Sequence, residues 1–61
     1  MPIVHINILE GRTVDQKRKL VASVTDAICE SLGTPKEKVK IIIYDMKKED
    51  YASAGVLTCD L

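Results

Sequence analysis

The sequence predicts an α/β fold: a βαβ subunit of two parallel strands and one long helix, followed by a short C-terminal hairpin or arm. Three observations carry this expectation. Residues 2–9 alternate as a strand does, residues 14–32 carry an apolar stripe between start and stop signals, and residues 39–46 form a second, β-branched run. The long crossover between the two runs suits parallel pairing, and its hand is expected to be right. The 61 residues are read as one domain, 1–61.

In the first strand Val4, Ile6 and Ile8 share one face, and Ile3, His5, Asn7 and Leu9 the other. Both faces carry apolar residues, so both are expected to be covered at least in part. His5 is the only histidine, and a lone strand histidine reads as structural rather than catalytic. Glu10-Gly11-Arg12 is a turn. Thr13 is the expected N-cap of the helix, and Gln16 completes a capping box. Asp15 suits the positive end of the helix dipole and is placed to pair with Lys19. Leu20, Val21, Val24, Ala27, Ile28 and Leu32 form the apolar stripe, with Arg18, Asp26 and Cys29 on the other side. Gly33 supplies a left-handed C-cap, and Pro35 prevents continuation.

Thr34-Pro35-Lys36-Glu37 repeats the start signal, but no apolar pattern follows, so one short turn is expected. Val39 to Met46 fits a strand covered on both faces. Lys47 to Asp50 is a polar, solvated loop. Tyr51 to Leu61, with Gly55 between small residues, forms the hairpin or arm.

Nine basic and nine acidic residues cancel, and no basic stripe exists, which argues against a nucleic-acid partner. The start of the chain lacks the pattern of a secretory signal, and no apolar run approaches the ~20 residues that cross a bilayer. A soluble, cytoplasmic protein without a membrane partner is expected. Cys29 and Cys59 lack metal-ligand spacing, so no metal site is expected, and free thiols are favoured over a disulfide. A chain this short buries only about 60% of its unfolded surface. Two strands and one helix also leave one sheet face and both sheet edges open. A homo-oligomer is therefore expected, with other copies covering these surfaces.

The strongest functional signal lies at the start. If Met1 is removed, Pro2 becomes a terminal secondary amine, a base held at the end of a rigid strand. Met1-Pro2, the turn Leu9-Glu10-Gly11-Arg12-Thr13, Gln16-Lys17, the isoleucine-rich second strand ending in Asp45-Met46, and Tyr51 shortly after it resemble the 4-oxalocrotonate tautomerase family. Each piece alone is weak; their order and spacing over nearly the whole chain are specific. The resemblance implies a tautomerase-like fold assembled as a hexamer, a trimer of dimers, with Pro2 as general base and proton shuttle. It also implies that Arg12 holds a substrate carboxylate, that Lys40 stands where the family carries a second arginine, and that Tyr51 stands where the family carries a pocket aromatic, usually phenylalanine. Lys40 keeps the charge but loses the planar fork. Tyr51 keeps the ring and adds a hydroxyl that needs a partner if buried. Both departures bear on how the family's diacid substrate is bound rather than on its proton transfer.

Moving a double bond next to a carbonyl takes a proton off one atom and returns it to another, with a dienolate in between. The base must be unprotonated near neutrality. A terminal amine titrates near ~7.7–8.0, and a proline amine is expected to be more basic. An apolar wall from Ile3, Leu9 and Tyr51 and the charges of Arg12 and Lys40 would lower that value. The same cations would stabilise the dienolate oxygen. The expected activity is isomerisation of a small unsaturated keto or enol acid such as a 2-hydroxydienoate, with Pro2, Arg12 and Lys40 catalytic, with Arg12, Lys40, Tyr51 and Leu9 binding substrate, and with no cofactor. Two alternatives stay open. One is hydratase or dehalogenase action on unsaturated acids, with Glu49 or Asp50 activating water. The other is a non-enzymatic oligomeric module, in which Pro2 merely starts a strand; Arg12 would then be a solvated turn residue, Lys40 an exposed strand residue and Tyr51 interface packing.

Overall fold

The computed structural model describes residues 1–61. Strand β1, Ile3–Leu9, leads into helix α1, Val14–Leu32, and returns to strand β2, Lys40–Met46. The two strands pair in parallel, in a register that sets Ile3 against Lys40 and Leu9 against Met46. The βαβ unit is thus as the patterning predicts, with each strand one residue shorter than expected at its start. The ladder extends past both ends. The Lys40 N–H donates to the Pro2 carbonyl at 3.0 Å, and the Glu10 N–H to the Met46 carbonyl at 2.7 Å.

The helix is bounded as its sequence dictates. Thr13 Oγ1 accepts from the Gln16 N–H at 3.1 Å while Gln16 Oε1 accepts from the Thr13 N–H at 2.9 Å, so the capping box closes. Gly33 ends the helix at φ 68°, a left-handed conformation that glycine adopts without a Cβ penalty. Asp15 pairs with Arg18 rather than with Lys19, because residues three apart also lie on one helix face. A short 3₁₀ turn at Lys36–Lys38 follows, as expected.

Alternation along the strands decides what the helix covers. Val4, Ile6, Ile8, Ile41 and Ile43 are half-buried on the helix side, opposite half-buried Leu20, Val21, Val24 and Ile28. Two details of the expected stripe differ. Cys29 is half-buried with this face, while Ala27 and Leu32 are exposed. The contact is centred on the row from Lys17 through Leu20–Val21, Val24–Thr25 and Ile28–Cys29, which excludes Ala27. The other sheet face is open within the chain. Ile3 is 54% exposed, Ile42 44% and Tyr44 55%, so a chain alone does not supply the two-sided cover expected of β2. His5 and Tyr44 stack on this face, their ring centroids 6.4 Å apart.

After β2, Lys48–Asp50 forms a 3₁₀ turn, and strands β3, Ala52–Ser53, and β4, Val56–Leu57, pair as an antiparallel hairpin. Its loop, Ala54-Gly55, has φ of 53° and 81°. Positive values at both positions are what a two-residue type I′ turn requires. The Lys48–Asp50 turn packs with β4 and with a last 3₁₀ turn, Thr58–Asp60, to form the expected arm.

The molecule measures 43 × 23 × 13 Å. The radius of gyration is 14.6 Å, against about 10.5 Å for a compact chain of this length. The chain exposes 4807 Å², against about 4,000 Å² for a compact monomer of 6.8 kDa. No residue is fully buried. No helix is long and apolar enough to cross a membrane.

Candidate active site

Pro2 sits one residue before β1 and is half-buried. Its carbonyl is held by the Lys40 N–H, which continues the sheet ladder to the chain's second residue. The proline nitrogen is therefore attached to ordered sheet rather than to a frayed end. Lys40 is brought beside Pro2 through the backbone, since both lie at the N-terminal edge of the sheet. Its side chain belongs to the open face with its register partner Ile3, and its ammonium donates to the Glu37 carbonyl at 3.1 Å. The short turn at Lys36–Lys38 thus provides the acceptor that holds this charge.

Arg12 and Leu9 lie at the opposite end. A rise of ~3.3 Å per residue puts Leu9 about 23 Å from Pro2 along β1. Arg12 follows the Gly11 turn, where φ is +116°, and its side chain makes no hydrogen bond or ion pair in the chain. Its guanidinium fork is left unpaired within the chain.

The concave surface of the chain is at this end. One groove of about 250 Å³ runs between β1 and the start of α1, lined by Ile8, Arg12, Gln16, Lys17 and Leu20. A second, of about 470 Å³, is lined by Ile8, Leu9, Arg12 and Lys48 among others. Lys17 in the first groove is neutralised by Asp45, Nζ to Oδ2 3.0 Å, which leaves Arg12 as its free cation.

Tyr51 follows directly on the Lys48–Asp50 turn and is 47% exposed. Its carbonyl accepts from the Thr58 N–H at 2.8 Å, which ties it to the base of the arm. The chain thus groups the five site residues expected from sequence into two sets. Pro2 and Lys40 form one; Arg12 and Leu9, with the arm that bears Tyr51, form the other. The ion pair Lys17–Asp45 and the contact of Lys48 with the Arg12 groove were not foreseen. Both join residues far apart in the sequence, and only the register of β2 against β1 brings them together. Glu49 is matched with Lys47, Oε1 to Nζ 4.0 Å.

Comparison with known proteins agrees with this architecture. Residues 2–60 match the family model described as "Tautomerase enzyme". A 2-hydroxymuconate tautomerase of Bacillus subtilis is 46% identical over 61 residues, covering 100% of this chain and 98% of its own. A crystal structure of a 4-oxalocrotonate tautomerase homologue superposes with a TM-score of 0.95 at 36% identity, covering 100% of this chain and 97% of that one. A heterohexamer 4-oxalocrotonate tautomerase from Chloroflexus aurantiacus superposes with a TM-score of 0.92 at 26% identity, covering 100% and 98%. With its whole length accounted for by these relatives and its βαβ frame superposing on theirs, the chain belongs to the tautomerase family, among the homologues of 4-oxalocrotonate tautomerase.

Proposed function

We propose that the chain, after loss of Met1, is an isomerase of 2-hydroxydienoates such as 2-hydroxymuconate, with the Pro2 nitrogen as its base. The observation that carries this reading is the anchoring of Pro2. The hydrogen bond from Lys40 N–H to its carbonyl extends the β1–β2 ladder to the second residue, which supports an ordered position for the nitrogen. The 46% identity to a 2-hydroxymuconate tautomerase supports the choice of substrate.

In this reading the Pro2 nitrogen takes the proton released as the dienol becomes a dienolate, and returns a proton to a carbon of the conjugated chain. The double bonds shift and a keto acid is formed. Cations near the oxygens stabilise the negative charge as it develops. Lys40 supplies one of them and Arg12 holds the far carboxylate through a charge-assisted contact. This acid–base chemistry needs no metal or organic cofactor.

Arg12 lies too far from Pro2 to serve the same substrate within one chain. The site is accordingly assembled from neighbouring copies, with Arg12 and the arm bearing Tyr51 brought by another subunit. The open sheet face and the extended arm support an oligomer, and the heterohexamer among the relatives supports a hexamer. The test of the base compares processed protein with protein that retains Met1, on 2-hydroxymuconate. Acylation of the proline nitrogen by methionine removes its basicity, so the retained form should be inactive yet fold and assemble equally. Equal rates would remove Pro2 as the base. Light scattering that shows a stable folded monomer at micromolar concentration would remove the shared site.

A further inference from the structure

We infer that Glu10 is a positioning residue: its carboxylate fastens the turn that carries Tyr51 to the turn that carries Arg12, so that the two substrate-binding elements move as one body. The consequence for substrate binding rests on the function proposed above; the fastening itself does not.

Glu10 is the residue at which β1 hands over to the Arg12 turn. Its backbone N–H donates to the Met46 carbonyl at 2.7 Å, one step beyond the last register pair of the sheet. Its side chain then reaches across to the same stretch of chain, and Oε2 accepts from the Lys48 N–H at 3.0 Å. One residue therefore brackets Lys47 from both sides, holding the residue before it by a carbonyl and the residue after it by an amide.

The Lys48 N–H opens the Lys48–Asp50 turn, and Lys47 supplies no side-chain cap for it. Without Glu10 this donor has no partner in the chain. The turn is closed by the Asp50 N–H on the Lys47 carbonyl at 2.8 Å, and Tyr51 follows and receives the Thr58 N–H on its own carbonyl. The position of the arm at the end of β2 is thus fixed through a short relay that begins at Oε2 of Glu10. On the other side of Glu10, Gly11 turns the chain directly into Arg12, and Arg12 and Lys48 line one groove. A glutamate suits this position because its carboxylate must reach over a full strand spacing. Aspartate is one methylene shorter, and glutamine retains both the reach and an acceptor oxygen.

Three substitutions separate the reach of this side chain from its charge: Glu10→Ala, Glu10→Asp and Glu10→Gln. Each is read by amide hydrogen exchange at Lys48 and by steady-state kinetics on 2-hydroxymuconate in the processed, assembled protein. Loss of the bond should speed Lys48 exchange by roughly 10- to 100-fold in the alanine and aspartate variants, the size expected for one charged hydrogen bond. KM should rise by a similar factor while kcat stays within about twofold, because the binding elements loosen and the base is untouched. Glutamine, which keeps the reach but makes a weaker neutral hydrogen bond, should lie closer to wild type than alanine or aspartate on both quantities. Lys48 exchange that is unchanged in the alanine variant would overturn the inference. So would an aspartate variant that behaves as wild type, which would show charge rather than reach to matter. A fall in kcat at constant KM would place Glu10 in the chemistry instead and would also overturn it. If the wild-type protein does not turn over 2-hydroxymuconate, the proposed function falls, while Lys48 exchange in the three variants still decides the fastening.

Discussion

The backbone N–H of Lys40 holds the carbonyl of Pro2 at 3.0 Å while the Lys40 ammonium binds the Glu37 carbonyl. Lys40 thus has two separable roles, an anchor made by its backbone and a charge carried by its side chain. Substitution of the side chain leaves the anchor in place, so it tests the charge alone. Lys40→Ala is expected to lower kcat/KM on a 2-hydroxydienoate by roughly 10- to 100-fold, corresponding to about 1.5–3 kcal/mol for a charged hydrogen bond. Lys40→Arg should be tolerated or improve turnover, since it restores a planar two-pronged donor. An alanine variant with unchanged kinetics would make Lys40 an ordinary surface strand residue.

Arg12 offers a sharper test because its guanidinium has no partner within the chain. No hydrogen bond or ion pair within the chain is lost when it is removed, so the effect is expected on substrate. Arg12→Ala should weaken turnover of a dicarboxylate dienol by roughly 10- to 100-fold and leave a monocarboxylate dienol within about threefold, because only the former loses a charge-assisted contact. Parallel steady-state kinetics on the two substrates decide it. Equal losses on both would remove Arg12 from carboxylate binding.

The difference between these two residues shows what could be read from the chain alone. The βαβ frame was legible because each element carries its own local signals. Thr13 and Gln16 close the helix start, Gly33 closes its end, and Val4, Ile6 and Ile8 alternate on one face. The hairpin was legible only in outline, since its turn rests on two residues, one of them an alanine with positive φ. The candidacy of Pro2, Arg12, Lys40 and Tyr51 came from the family resemblance that the order and spacing of the motifs carry. Their distribution over two ends of the sheet could not, because it depends on the parallel register that sets Leu9 against Met46. For the same reason, Lys17–Asp45 and Glu10–Lys48 were hidden: their partners are separated by 28 and 38 residues.

The hairpin loop yields a prediction about stability. Ala54 holds φ at 53°, and a left-handed conformation costs a residue with a Cβ roughly 1–2 kcal/mol. Asparagine tolerates this region well, and Asn-Gly is the favoured pair for a type I′ turn. Ala54→Asn should therefore stabilise the arm by about 0.5–1 kcal/mol. The measurement is slower amide exchange across Ser53 and Val56, which pair in β3–β4. Exchange that is unchanged or faster would mean that the loop does not limit the hairpin's stability.

The separation of Pro2 from Arg12 leads to the most demanding test. Along β1 the two ends of the site lie about 23 Å apart, so no substrate of a few carbons can bridge them within one chain. If active sites form between copies, two inactive variants can repair each other. Protein that retains Met1 lacks the base but has an intact Arg12. Arg12→Ala lacks the carboxylate clamp but has an intact Pro2. Each alone should be slow on a dicarboxylate dienol. When the two are dissociated, mixed and reassembled together, some junctions pair a free Pro2 from one copy with an Arg12 from the other. Those junctions are complete. Activity should therefore rise well above that of either variant, in proportion to the fraction of mixed contacts, and should follow the mixing ratio with a maximum near equal parts. Dilution to separate the subunits should abolish the gain. Mixed assemblies with only the average activity of their two components would show that Pro2 and Arg12 do not meet across a subunit boundary, and the shared site would have to be abandoned.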